Sequence, residues 1–240
     1  MKVFLLFFLG VFSMEIKKTN GIQKDEFQTS SGKFSVYFLG HASLFFTYND
    51  QVIYVDPCSQ YGDYSSLPKA TLILITHHHF DHFDTAAIAK VITPSTQIIV
   101  NQTVYNQWRK GTVMKNGEKK VFNGIEIEAV PAYNLTRGRE QFHPRGGRDN
   151  GYVITLGGRR IYIAGDTENI PEMSGLGKIY IAFLPMNQPY TMLPEQVAEA
   201  ARRIKPEILY PYHYGDTDPQ ALVRLLKNEP SIEVRIRNLR

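Results

Sequence analysis

Five residues, Thr71-Leu72-Ile73-Leu74-Ile75, lead directly into Thr76-His77-His78-His79-Phe80-Asp81-His82. The apolar run is too short for a helix and reads as a buried strand. The loop at its carboxyl end then carries three imidazoles and a carboxylate in the order H-x-H-x-D-H. His77 and His79 alternate and can converge on one metal ion, while Asp81 and His82 can turn towards a second. His78 falls outside this pattern. Imidazole and carboxylate suit zinc, and also manganese or iron. The bland alternative is an exposed histidine cluster, with Asp81 merely opening a helix over Phe83 to Val91. Four potential ligands in seven residues favour the metal, which requires distant parts of the chain to converge on this strand end.

Two further strand ends offer partners. Arg159-Arg160-Ile161-Tyr162-Ile163-Ala164-Gly165-Asp166-Thr167 presents Asp166 on a tight turn, where it can bridge two ions. Ile208-Leu209-Tyr210-Pro211-Tyr212-His213-Tyr214-Gly215 is an apolar strand ending in His213, which can complete the second site. Alone, Asp166 could be a turn former and His213 a packed core histidine.

With these motifs in this order, the chain resembles the metallo-β-lactamase-fold hydrolase superfamily from about Lys33 to the carboxyl terminus. Gly40-His41-Ala42-Ser43-Leu44-Phe45-Phe46 and Tyr54-Val55-Asp56-Pro57 look like the opening hairpin of the branch containing ascorbate-6-phosphate lactonase and N-acyl-phosphatidylethanolamine phospholipase D. Pro131-Ala132-Tyr133-Asn134, Phe142-His143-Pro144, Gly151-Tyr152-Val153 and Ile170-Pro171-Glu172-Met173 are similar to a largely uncharacterised set of metal-dependent hydrolases. The resemblance implies an α/β fold, a four-layer αβ/βα sandwich of two mixed β-sheets flanked by helices.

The superfamily's third metal motif usually ends in a histidine where this chain has Asn134. Either His143 reaches back from the following loop, or Asn134 offers its carbonyl oxygen, or the first ion is weakly held and the working enzyme mononuclear. An oxygen ligand there would favour manganese over zinc. His143 could also simply pack on Phe142 and Pro144. His41 and Asp56 are candidates for orienting ligands by hydrogen bonds, or are turn residues.

The resemblance implies two divalent ions, expected to be zinc, with manganese or iron as alternatives. A water between them would lose its proton near neutral pH, since coordination can lower its pKa to about 7. The resulting metal-bound hydroxide would attack an ester, lactone or phosphodiester. Asp81 or Asp166 could orient it, and Tyr133 or Tyr190 could meet the developing negative charge. Arg137, Arg139, Arg145 and Arg148 crowd the loop between two motif-bearing strands, which suggests a small anionic substrate bound through guanidinium groups, Arg145 among them. A phosphodiesterase or nuclease of the same fold is the enzymatic alternative, but a net charge of +4 over 240 residues gives no strong nucleic-acid signal. A metal-binding or sensing protein without catalysis is the alternative from another class. A di-iron redox variant would want a full ligand set and a flavin partner.

Motifs from residue 41 to residue 213 must meet at one site, so the chain is expected to form one domain over 33–240, behind an extension over 14–32. Helices fit Phe83 to Val91, Thr103 to Trp108, Pro194 to Ile204 and Pro219 to Lys227, with Glu195, Val197, Ala198, Ala201 and Ile204 as one buried face of the third. Lys2 precedes the apolar run Val3 to Phe12, too short to span a bilayer but suited to a signal peptide over 1–13. Export, periplasmic or secreted, is therefore expected over a cytoplasmic location, although Lys17-Lys18 and the lack of an A-x-A site fit imperfectly. Met14 is an alternative start. Cys58 is the single cysteine, which decides nothing about compartment.

Overall fold

The computed structural model describes residues 21–240, so the apolar run near the amino terminus lies outside the described residues. Alternation along the strands sets the layers. In β2 (Gly32–Gly40), β3 (Ser43–Tyr48), β4 (Gln51–Val55) and β5 (Leu72–Leu74), residues Val36, Phe38, Leu44, Phe46, Ile53, Val55, Leu72 and Leu74 join a central apolar cluster. Their neighbours Tyr37, Phe45, Tyr54 and Ile73 join a separate cluster with Ala87, Ile88 and Val91 of α1 (Thr85–Val91) and Val104 of α2 (Gln102–Trp108). A period of two thus buries both faces of one sheet, one against a second sheet and one against helices.

The first sheet is completed by β1 (Gln23–Thr29) beside β2, and by β6 (Gln97–Val100) and β7 (Thr112–Val113) beyond β5. Pairing is antiparallel from β1 to β4 and parallel from β4 to β7. The second sheet repeats the scheme. Strands β8 (Lys119–Phe122), β9 (Ile125–Ala132), β10 (Asp149–Leu156) and β11 (Arg159–Ile163) pair antiparallel. Strands β12 (Ile181–Pro185), β13 (Ile208–Tyr212) and β14 (Glu233–Val234) then add in parallel. Helices α3 (Pro194–Ile204) and α4 (Gln220–Leu225) complete an α/β sandwich of two mixed sheets with helices, as the resemblance implied.

Three expectations need correcting. The domain includes residues before Lys33, because Gln23–Thr29 forms the edge strand β1, held by pairing with Gly32–Phe38 and by Asp25, which binds Arg237 Nη2 at 2.6 and 2.7 Å. Strand β1 carries exposed polar residues at most positions and so lacked a readable apolar pattern. Glu195 is exposed and Ala200 takes its place on the buried face of α3. Helix α1 starts at Thr85 because the Asp84 side chain accepts from Ala86 and Ala87 N–H and caps it.

Parallel strands deliver their carboxyl ends to one edge, and hydrogen bonds between the sheets lock that edge. Asn150 N–H donates to Thr76 O (3.0 Å), Tyr152 hydroxyl to Ile75 O (2.9 Å), and His213 N–H to His41 O (3.1 Å).

Candidate metal centre

Eight side chains meet at this edge in two groups of four. His77, His79, His143 and Asp166 form one; His41, Asp81, His82 and His213 form the other, with the candidate ligand atoms of each group within 4.8 Å of one another. Asp166 stands between them. Its Oδ2 is 3.2 Å from His213 Nε2, 3.4 Å from His143 Nε2 and 3.9 Å from His77 Nε2, while its Oδ1 is 3.4 Å from His82 Nε2. Asp81 Oδ2 lies 3.1 Å from His41 Nε2 and 3.7 Å from His213 Nε2.

Local structure explains these positions. Gly165 has φ +65°, and a Cβ there would lie 2.7 Å from Asn150 O, so only glycine makes the turn that sets down Asp166. His41 and His213 themselves adopt left-handed backbone, with φ of 54° and 48°. Such strain in non-glycine residues persists where surrounding structure enforces it, and functional sites collect it.

Each quartet has supporting carboxylates. Asp56 is wholly buried: Oδ1 accepts Thr76 N–H at 2.8 Å, and Oδ2 takes the Thr76 hydroxyl at 2.6 Å and His82 Nδ1 at 2.9 Å. A carboxylate on Nδ1 leaves Nε2 of His82 free to ligate. His143 Nδ1 is held in the same way by Asp149 Oδ2 at 3.0 Å, and Arg148 braces Asp149. Asp149 went unnoticed in the sequence; its position at the start of β10, six residues after His143, is the signal that could have found it. Tyr61, also unnoticed, stacks on His41 with ring centroids 4.6 Å apart.

The electrostatics fit cation binding. Burial pushes His77 well below its usual pKa, and burial with nearby His143 brings His79 down to about 4, leaving both neutral. Burial opposes ionisation of Asp81 and Asp166, yet the neighbouring His213 and the hydrogen bond from His41 hold Asp81 well below the carboxylate range. The charges of His213 and His82 do the same for Asp166. Burial lowers His213, but Asp166 and Asp81 outweigh it and raise the imidazole to about 10. His82 Nε2, His213 Nε2 and Asp166 Oδ1 are buried without a hydrogen-bond partner. Orphaned atoms of this kind on converging imidazoles and a carboxylate are what a pair of divalent ions would satisfy.

The remaining candidates are placed less centrally. His41, expected as an orienting residue, presents Nε2 within the second quartet. Asn134 donates Nδ2 to Tyr190 O (2.7 Å) and Arg139 O (3.2 Å), and its Oδ1 is buried without a partner; His143 is brought into the first quartet. Tyr133 hydroxyl donates to Glu172 at 2.8 and 3.0 Å and is thereby engaged away from the role expected of it. Tyr190 is 45% exposed and packs edge-on against Phe142. Two of the four loop arginines are engaged internally, Arg139 with Glu168 and Arg148 with Asp149. Arg145 is exposed, its guanidinium 5.4 Å from the Tyr133 ring centroid. His78 belongs to neither group, and Cys58 is buried.

A fold of two such sheets with clustered histidines and carboxylates at one edge defines a metal-dependent hydrolase of the metallo-β-lactamase class, and the comparisons agree. Residues 35–213 match the beta-lactamase superfamily domain. The chain belongs to that superfamily, among metal-dependent hydrolases of the kind called UPF0173. It is 31% identical over 194 residues to the UPF0173 metal-dependent hydrolase of Thermus thermophilus, covering 77% of this chain and 85% of the relative. A homologue of Symbiobacterium thermophilum is 34% identical, with 75% and 84% covered. The crystal structure of a provisionally assigned metal-dependent hydrolase from Parabacteroides distasonis superposes with a TM-score of 0.89 at 52% identity, covering 91% of this chain and 100% of that one. Igni18, a metallo hydrolase of Ignicoccus hospitalis, shares the fold at 22% identity and a TM-score of 0.72. Among the described residues no helix is long and apolar enough to cross a membrane.

Proposed function

We propose that this hydrolase holds two divalent ions, one in each quartet with Asp166 between them, and cleaves an ester, lactone or phosphodiester bond in a small anionic substrate. The observation that carries this reading is the pair of interlocking quartets, in which buried ligand atoms lack partners. Zinc suits the sites, because six of the eight side chains are imidazoles. Divalent ions there would polarise the scissile bond and bring the pKa of water down to about 7.

The chain's own groups do the rest. Asp56 and Asp149 fix the imidazole tautomers of His82 and His143, so their Nε2 atoms face the centre unprotonated once an ion is bound. Asp81, 19% exposed at its side chain, is the carboxylate of the site most open to solvent, and serves to orient the attacking water. Arg137 and Arg145, exposed on the loop that bears His143, supply positive charge for an anionic group. With Arg139 and Arg148 bound to carboxylates, this loop leaves Arg137 and Arg145 to meet an anionic group, which favours a small substrate over a polyanion.

The test is a screen of lactones, carboxylic esters and phosphodiesters against metal-loaded protein, alongside Asp81→Ala. Turnover of one class that falls at least a hundredfold in the variant supports the reading. Full metal occupancy with no hydrolysis of any class would overturn it in favour of a binding protein. Export is proposed as well, from the Lys2 and Val3–Phe12 run; a mature chain beginning at Met1 in the cytoplasmic fraction would contradict it.

A further inference from the structure

Of the eight side chains in the two quartets, seven stand in the first turn or short loop after a strand. His143 alone sits deep within a long connection, the loop 133–148 between β9 and β10, whose outer part is exposed and rich in glycine. Something must hold that loop if His143 is to meet an ion.

Glu168 is placed to do so. It lies two residues after Asp166, and its side chain is wholly buried. Oε2 accepts the backbone N–H of Leu135 and of Thr136, each at 2.7 Å, and Oε1 lies 3.5 Å from Arg139 Nη1. Its own N–H donates to Tyr133 O at 3.0 Å. From that anchored end, Asn134 N–H donates to His143 O at 2.8 Å, and Asn134 Nδ2 binds Arg139 O. One carboxylate therefore ties the loop carrying His143 to the turn carrying Asp166, two elements that must contribute to the same quartet. Glu168 belongs to neither quartet and forms no ion pair except with Arg139 among the described residues. A carboxylate taken out of water and bound by two amide N–H groups is costly to place, and apolar packing would have served if only loop burial were needed.

We infer that Glu168 is a latch that positions His143 for the first ion; this rests on the two-ion reading above. Groups that orient metal ligands from outside the coordination shell are typically worth about 10- to 100-fold in metal affinity. The second quartet, built from His41, Asp81, His82 and His213, contains no residue from the latched loop.

The test uses full-length protein in two backgrounds, His213→Ala, which leaves only the first quartet complete, and His143→Ala, which leaves only the second. Zinc is titrated into each against a competing chelator, with and without Glu168→Gln. The substitution keeps the shape and one accepting oxygen but removes the charge, so the fold should survive it, whereas Glu168→Ala abandons the Leu135 and Thr136 N–H groups altogether. The expected result is at least a tenfold loss of zinc affinity in the first background and a change within about twofold in the second. Trypsin should also cut at Arg137 and Arg139 faster in the variant. Equal weakening in both backgrounds, or weakening in neither, overturns the latch. Absence of zinc binding in both backgrounds without Glu168→Gln, and in the wild-type chain, would overturn the two-ion reading itself.

Discussion

Asp56→Asn is nearly isosteric, yet it should cripple the second site while sparing the fold. In the native protein the carboxylate accepts three hydrogen bonds, two from Thr76 and one from His82 Nδ1. An asparagine can keep its oxygen on Thr76 N–H, but its amide nitrogen then faces His82 Nδ1 and the Thr76 hydroxyl. That nitrogen is a donor. The Thr76 hydroxyl can rotate to accept from it, whereas Nδ1 can accept only if the ring proton moves to Nε2, the atom that must ligate. Loss of the correct tautomer should weaken the second ion by about 10- to 100-fold, the usual cost of removing an orienting partner. Folding stability should fall by only about 1 to 2 kcal/mol, because no buried backbone donor is abandoned. Asp56→Ala, in contrast, abandons the Thr76 N–H and should cost more stability. Zinc titration followed by chemical denaturation of the metal-free forms separates the two effects. Unchanged affinity in Asp56→Asn would refute the tautomer argument.

Other predictions concern the frame of the site. Asp25 is held below the usual carboxylate range, burial opposing this but hydrogen bonds from Arg237 and Tyr210 outweighing it. Its folded value lies below its unfolded one of about 3.9, so its stabilising effect is complete above that value and is lost as pH falls through the folded value. Asp25→Asn should therefore unfold about 1 kcal/mol more easily at pH 7, with the difference from wild type vanishing in acid; a gap that persists at low pH would contradict the assignment. Gly165→Ala places a methyl 2.7 Å from Asn150 O at positive φ and should cost about 2 to 4 kcal/mol, measured by thermal unfolding, together with loss of metal binding through Asp166. His41→Ala should weaken zinc binding in a background lacking His143, since His41 Nε2 stands in the second quartet; unchanged affinity would return it to a supporting role.

What the sequence disclosed tracks local pattern. H-x-H-x-D-H, the strand-Gly-Asp turn at Asp166 and the strand ending in His213 were all readable, because each pairs an apolar strand with a chemically unusual residue at its end. The layered architecture came from the resemblance those motifs carry, since strands β3 to β5 are short apolar runs buried on both faces and do not by themselves say which side faces which layer. Long-range partners were not. Asp149 is marked only by its place at the start of β10, six residues after His143, and Glu168 looks like any loop glutamate until the fold brings Leu135 and Thr136 to it. Choosing between Asn134 and His143 required knowing how a long loop folds back, which depends on Glu168 and on the Tyr190 carbonyl. The polar edge strand β1 is defined by its pairing with β2 rather than by its own residues.

Metal content decides most directly whether the two quartets are what they appear from their geometry. Untagged protein prepared without added metal, analysed for elements alongside His143→Ala and Asn134→Ala, should contain two equivalents of divalent metal per chain. One equivalent should remain in His143→Ala and two in Asn134→Ala. Metal-free wild-type protein that cannot be loaded, or His143→Ala retaining both equivalents, would contradict the account.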